Sequence, residues 1–87
     1  MATFKLTLFT KRDCAPCKRV KNYLRTHNYL DKVNILEKEN HPALVSAFDL
    51  DVYPTLVVSN GAQMIRKYEG ANLVLINLPD EIYEASL

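Results

Sequence analysis

Residues 9–24 read FTKRDCAPCKRVKNYL, and they join the end of an apolar run to the start of a helical pattern. Upstream, Phe4-Lys5-Leu6-Thr7-Leu8-Phe9 alternates apolar and polar residues and then turns wholly apolar, as a strand entering a core does. Downstream, Cys17, Val20, Tyr23 and Leu24 share one helical stripe while Lys18, Arg19, Lys21, Asn22 and Arg25 lie off it. This pattern predicts a helix over residues 15–28. The chain's two cysteines fall at the junction, Cys14 at the mouth of the helix and Cys17 one turn inside. A pair at this spacing serves as a redox catalyst, as half of a metal site or as a structural staple.

Composition weighs against the staple. The 87 residues suffice for one small domain, residues 1–87, with a modest core. Hydrophobic residues make up 48% and charged residues 24%, as in an ordinary folded, soluble chain. A net charge of +1 gives no general attraction to nucleic acid or to membranes. No 18-residue apolar span is present, and Lys5 and Thr7 interrupt the N-terminal apolar run where a signal peptide would be continuous. The expected location is the cytoplasm, where thiols are mostly kept reduced. A disulfide across so short a loop also removes little entropy from the unfolded chain.

Zinc fits poorly as well. A finger needs two histidines about twelve residues beyond the cysteines and three to five apart. Here His27 and His41 have 13 residues between them. They read as exposed or capping residues at a helix end and a helix start, and no metal is expected.

The rest of the chain completes a β-α-β-α-β-β-α order. Val33–Glu37 is a second strand, and Asn40 is placed to cap a helix with Pro42 in its first turn, running to about Asp49 with Leu44, Val45 and Phe48 inward. Residues 55–59, TLVVS, form a third strand, and Asn60-Gly61 signals a hairpin into QMIRKY, 63–68. In that returning strand Met64, Arg66 and Tyr68 alternate with Gln63, Ile65 and Lys67. Gly70 breaks the chain before a helix from Leu73 to about Ala85, which Pro79 is expected to kink or split, PDEIYE reading as a fresh helix start. The β-α-β opening implies a right-handed crossover and a parallel pair, and the hairpin adds antiparallel strands. The predicted class is α/β, a four-stranded mixed sheet flanked by helices.

A thiolate at a helix N-terminus faces unpaired N–H groups and the positive end of the dipole, which lowers its pKa. Cys14 is therefore the expected nucleophile and Cys17 the shielded resolving thiol. Six of the eleven basic residues, Lys11, Arg12, Lys18, Arg19, Lys21 and Arg25, gather around them, with Asp13 as the one acid in that stretch. The cluster reads either as a solvated helix face or as an electropositive rim for acidic partners or glutathione.

Three segments in this order resemble the thioredoxin and glutaredoxin superfamily. FTKRDCAPCK resembles its strand-to-helix active-site turn, FDLDVYPTLVVSNG the segment around its cis-proline, and YEGAN the glycine turn before the last helix. The likeness covers nearly the whole chain and implies a thioredoxin fold. It implies that Cys14 attacks a substrate disulfide and that Cys17 then resolves the mixed disulfide, leaving Cys14 and Cys17 joined. Pro54 corresponds to the cis-proline, leaving the Tyr53 backbone to pair with an incoming peptide in strand fashion.

The chain mixes two branches of that superfamily. Starting directly with the active-site strand is glutaredoxin-like, whereas the Ala15-Pro16 spacer resembles the Gly-Pro of thioredoxins. Asp13 stands where thioredoxins have tryptophan, and Leu8 where they have a buried carboxylate that accepts the resolving thiol's proton. Gly70-Ala71-Asn72 replaces the Gly-Gly and aspartate that contact glutathione in glutaredoxins, so Asn72 either accepts a hydrogen bond there or caps the last helix. Lys11 lies near the lysine that glutaredoxins offer to the glycine carboxylate. Tyr53 either shapes the substrate groove or packs.

The resemblance implies a monomeric protein-disulfide reductase, a short glutaredoxin-like thioredoxin of low potential, near roughly −270 mV against about −200 to −230 mV for glutaredoxins. Ribonucleotide reductase is an implied client, and thioredoxin reductase or glutathione an implied source of electrons. The alternatives are a glutathione-dependent glutaredoxin and, in a different class, a thioredoxin-fold binding module without turnover.

Overall fold

The computed structural model describes residues 4–61 and 63–85. Strand β1 (Lys5–Thr10) leads to helix α1 (Ala15–Thr26), strand β2 (Asn34–Glu37) and a 3₁₀ turn at Lys38–Asn40. Helix α2 (Pro42–Ala47), strands β3 (Thr55–Asn60) and β4 (Gln63–Glu69) and helix α3 (Ala71–Ala85) follow. The sheet order is β2-β1-β3-β4, with β1 parallel to β2 and antiparallel to β3, and β3 antiparallel to β4. This is the β-α-β-α-β-β-α order and four-stranded mixed sheet read from the sequence.

Alternation along the two central strands sends side chains to opposite faces. Leu6, Leu8, Leu56 and Val58 meet Val20 and Leu24 of α1 and Val74, Leu78 and Ile82 of α3 on one face. Phe9 and Val57 meet Leu50 on the other, where Leu44, Val45 and Phe48 of the α2 region pack half-buried against them, as expected. Phe9 and Phe48 touch edge to face at 6.1 Å. Helices thus cover both faces. No helix among the described residues is long and apolar enough to cross a membrane.

The helix boundaries depart from the sequence reading for local reasons. Helix α1 stops at Thr26 because Asn28 adopts a left-handed φ of 60°, letting the N–H groups of Asn28 and Tyr29 close onto the carbonyls of Arg25 and Leu24. Asp49, at φ 54°, ends α2 in the same way, with Asp49 and Leu50 donating to Ser46 and Val45. Asn40 does not cap α2; it ends the 3₁₀ turn, and His41 stands at the N-cap without a side-chain bond. Helix α3 begins at Ala71 and runs unbroken through Pro79, so PDEIYE is not a fresh start. The helix holds because its inner stripe, Ala71, Val74, Leu78 and Ile82, is buried along the whole length on either side of the proline.

In β4 the expected alternation also fails. Val58 pairs with Arg66 but Ser59 pairs with Met64, so Ile65 is an extra residue in a bulge. Met64 therefore packs with the Phe9 cluster, on the α2 side, while Tyr68 packs with the Leu8 cluster. Arg66 lies on the Tyr68 side and meets α3. There Glu81, only 5% exposed, accepts from Arg66 Nε at 2.6 Å and Nη2 at 2.8 Å and from the Tyr68 hydroxyl at 2.5 Å. These hydrogen bonds, Arg66's first, hold the Glu81 carboxyl below the usual carboxylate range.

Candidate active site

β1 ends at Thr10, whose buried hydroxyl donates to the Leu36 carbonyl at 3.4 Å and fixes the strand end beside β2. The chain then turns through Asp13, which adopts a left-handed φ of 53°. Aspartate tolerates this region better than bulky or β-branched residues do, which gives Asp13 a backbone role where the sequence suggested only a charge. The turn delivers Cys14 to the N-cap of α1 in extended conformation, φ −119°. Its sulfur accepts a hydrogen bond from the Cys17 N–H at 3.2 Å, one of the N–H groups that the first helical turn leaves unpaired. Ala15 and Pro16 occupy the first turn and are exposed; proline costs nothing there because no intrahelical partner is lost.

Cys14 and Cys17 are joined, with S–S 2.19 Å and Cα atoms 5.2 Å apart. Both are buried, Cys14 at 4% and Cys17 at 1% exposure. The nucleophile expected at the helix mouth is thus nearly as enclosed as its partner. The Tyr53–Pro54 peptide is cis, Pro54 is fully buried, and the Tyr53 carbonyl oxygen lies 4.0 Å from Cys14 Sγ. Gly70, at φ 93°, donates its N–H to the Pro54 carbonyl at 2.8 Å and its own carbonyl accepts from Val74 in α3 at 3.0 Å. The proline loop is further closed by the Thr55 hydroxyl donating to the Val52 carbonyl. Tyr53 lies just outside the strand ladders, since β1–β3 pairing ends at Phe9 and Thr55. Its ring packs on the Phe9 cluster, its hydroxyl donates to Leu50 O at 3.3 Å, and Lys38 Nζ sits 5.3 Å from the ring centre.

Two clefts flank the disulfide. One, about 300 Å³, is lined by both cysteines with Lys11, Arg12, Asp13, Lys18, Lys21 and Glu37. Four cations against two carboxylates make it electropositive, which favours thiolates and anionic ligands. Arg12 is partly neutralised, with Nε 3.7 Å from Glu37 and its backbone N–H donating to Glu39 at 3.3 Å. Its own backbone N–H first, and then that of Arg12, holds the Glu39 carboxyl below its ordinary range. The other cleft, about 330 Å³, is lined by Pro16, Arg19, Gly70, Asn72 and Leu73 among others.

The predicted residues divide between these clefts. Lys11 joins the cysteines in the first, whereas Asn72 stands in the second, so the two residues read as glutathione contacts do not share a pocket. Asn72 is not a cap, because α3 has already begun at Ala71; its Oδ1 accepts from Arg19 Nη2 at 2.7 Å. Leu8 is wholly buried in hydrocarbon, so no carboxylate stands at that position. Sequence reasoning missed the Glu37–Glu39 segment, whose acids brace Arg12. The signal was Arg12 itself, a cation in a turn next to the end of a parallel strand pair. Among the described residues no group of three or more His, Cys, Asp or Glu side chains gathers as a metal site.

No relative among curated proteins matches the sequence. Solved structures do match. A thioredoxin from Malassezia sympodialis superposes with TM-score 0.79 at 20% identity, over 99% of this chain and 77% of its own. Spinach chloroplast thioredoxin f gives 0.74 at 18% identity, covering 99% and 79%, and Trypanosoma brucei brucei thioredoxin 0.70 at 23%, covering 94% and 77%. These likenesses establish the thioredoxin fold. Residues 6–61, which carry all of β1 but its first residue, the CxxC turn, the cis-proline and β3, match the glutaredoxin family. With a Cys14–Cys17 disulfide at the helix mouth opposite that proline, the chain belongs to the glutaredoxin family of the thioredoxin superfamily and is a thiol–disulfide oxidoreductase.

Proposed function

We propose that the protein reduces disulfides in protein clients in the cytoplasm, with Cys14 as nucleophile and Cys17 as resolving thiol. The Cys14 thiolate attacks a client disulfide, forming a mixed disulfide and releasing one client thiolate. Cys17 loses its proton and attacks the Cys14 sulfur; the second client thiolate departs and takes up a proton, and two electrons have passed to the client. The observation that carries this reading is the Cys17 N–H directed at Cys14 Sγ at 3.2 Å, a donor that stabilises the thiolate form of Cys14 and not of Cys17. The Tyr53 backbone, beyond the end of the β1–β3 ladder, pairs with the client segment as an added strand. The basic cleft selects clients with acidic residues beside the disulfide, and ribonucleotide reductase is the client that the family resemblance suggests.

Insulin-disulfide reduction under two recycling systems tests the reading, one with NADPH and thioredoxin reductase, the other with NADPH, glutathione and glutathione reductase. Turnover in either that vanishes in Cys14→Ser supports the reductase. Turnover with glutathione alone supports the second reading, a glutathione-dependent glutaredoxin, which the family match and the place of Lys11 beside the cysteines favour. Cys14-independent binding without turnover would leave a binding module.

A further inference from the structure

Resolution requires Cys17 to ionise while enclosed at 1% exposure, so its proton needs an acceptor. Among the described residues the interior provides none. The buried polar side chains among them are Thr7, Thr10, Thr55, Ser59 and Glu81, and Glu81 alone is acidic. Both its oxygens are occupied by Arg66, and one also by Tyr68. The acceptor must therefore come from the cleft onto which Cys17 opens, and two carboxylates line that cleft, Asp13 and Glu37.

Their settings differ. Asp13 is exposed, in the left-handed turn immediately before Cys14. Glu37 is half-buried at the last residue of β2, in register with Thr10 at the end of β1, and Arg12 Nε at 3.7 Å holds its carboxylate at the cleft wall. Lys21, four residues beyond Cys17 and so one turn further along the same side of α1, lines the same cleft. The remaining charges facing Glu37 are Lys11 and Asp13 from the turn and Lys18 from α1. A cleft of about 300 Å³ has ample room for water.

We propose that Glu37 accepts the Cys17 proton through solvent in this cleft, while Lys21 favours the thiolate so formed. Cys17 then attacks the Cys14 sulfur, the Cys14–client bond breaks, and Glu37 returns its proton to the departing client thiolate. The assignment rests on the reductase reading and deepens it.

Stopped-flow mixing of the reduced protein with dithiobis(nitrobenzoate) separates the steps. Attack by Cys14 releases one coloured thiolate, and resolution by Cys17 releases the second. The expected result for Glu37→Gln is a second phase slowed about 10- to 100-fold, at or below the usual range for a lost general base, with the first phase changed less than about two-fold. Glu37→Asp should recover most of the rate. The pH dependence of the second phase should differ between Glu37→Gln and the unmodified protein, while that of the first phase should stay the same. A second phase unaltered in Glu37→Gln overturns the assignment, as does a slowing confined to Asp13→Asn. Absence of the first phase in the unmodified protein would instead remove the reductase reading itself, so the two failures are distinguishable.

Discussion

At the scale of single residues, the two cysteines differ by one hydrogen bond and one turn of helix. Cys14 Sγ accepts the Cys17 N–H, and the Tyr53 carbonyl oxygen, next to the cis-proline, stands 4.0 Å from it, which fits Cys14 as the proposed nucleophile. Cys17→Ser should therefore trap a Cys14 mixed disulfide with client or glutathione, seen as an added thiol in the intact mass. Cys14→Ser should trap none. Gly70 controls the same place from behind. Its φ of 93° lies where a Cβ is strained, although a Cβ built there would meet nothing within 4 Å. Gly70→Ala should thus destabilise through the backbone alone, by about 1–2 kcal/mol in a urea titration. It should also slow client reduction, because the Gly70 N–H positions the Pro54 carbonyl. A loss of stability without any change in rate would separate that positioning from folding.

At the scale of elements, α3 carries two tests. Pro79 is exposed in the interior of a helix and removes one intrahelical N–H, so Pro79→Ala should stabilise by about 1–3 kcal/mol without altering turnover. Glu81 joins α3 to β4, and its folded-state pKa lies below the ordinary carboxylate value because of Arg66. The unfolded chain then binds more protons in acid. This contribution is complete above the unfolded pKa, near about 4.3, and is lost as pH falls through the lower folded value. Thermal unfolding followed from pH 7 to about pH 2 should show the wild-type advantage over Glu81→Gln shrinking across that acid range. At neutral pH the substitution should cost about 2 kcal/mol, the scale of hydrogen bonds to a charged group. The sequence announced β1 through its alternation, the β3–β4 hairpin through Asn60-Gly61, and α1 through its stripe. It did not announce the bulge at Ile65, because one inserted residue leaves composition unchanged and only shifts the pairing. Glu81 was legible in principle: it follows Val74 and Leu78 at helical spacing, inside the stripe that α3 buries. The stops at Asn28 and Asp49 were also written in residue type, since both tolerate left-handed φ.

At the scale of the whole molecule, the cysteines and Pro54 were legible because chemistry restricts which residues can do their work. The division between two clefts was not, since it depends on where α1 sits relative to the β2 end and to the α3 start. That division has an electrostatic consequence. The chain as a whole carries only +1, yet Lys11, Arg12, Lys18 and Lys21 converge on the cleft of the cysteines while Glu81 and Glu84 meet Arg66 between α3 and β4. Local field rather than net charge should therefore govern encounter with clients. The screening length is about 30 Å at 0.01 M salt and about 8 Å at 0.15 M. The second-order rate constant for a peptide disulfide flanked by glutamates should fall several-fold between these salt concentrations, while a lysine-flanked peptide of equal length should speed up. Lys18→Gln with Lys21→Gln should flatten both dependences and leave thermal stability nearly unchanged, because both side chains are solvent-facing or half-exposed. Equal salt slopes for the two peptides would show that the cleft's cations form only a solvated helix face, and would withdraw the preference for acidic clients.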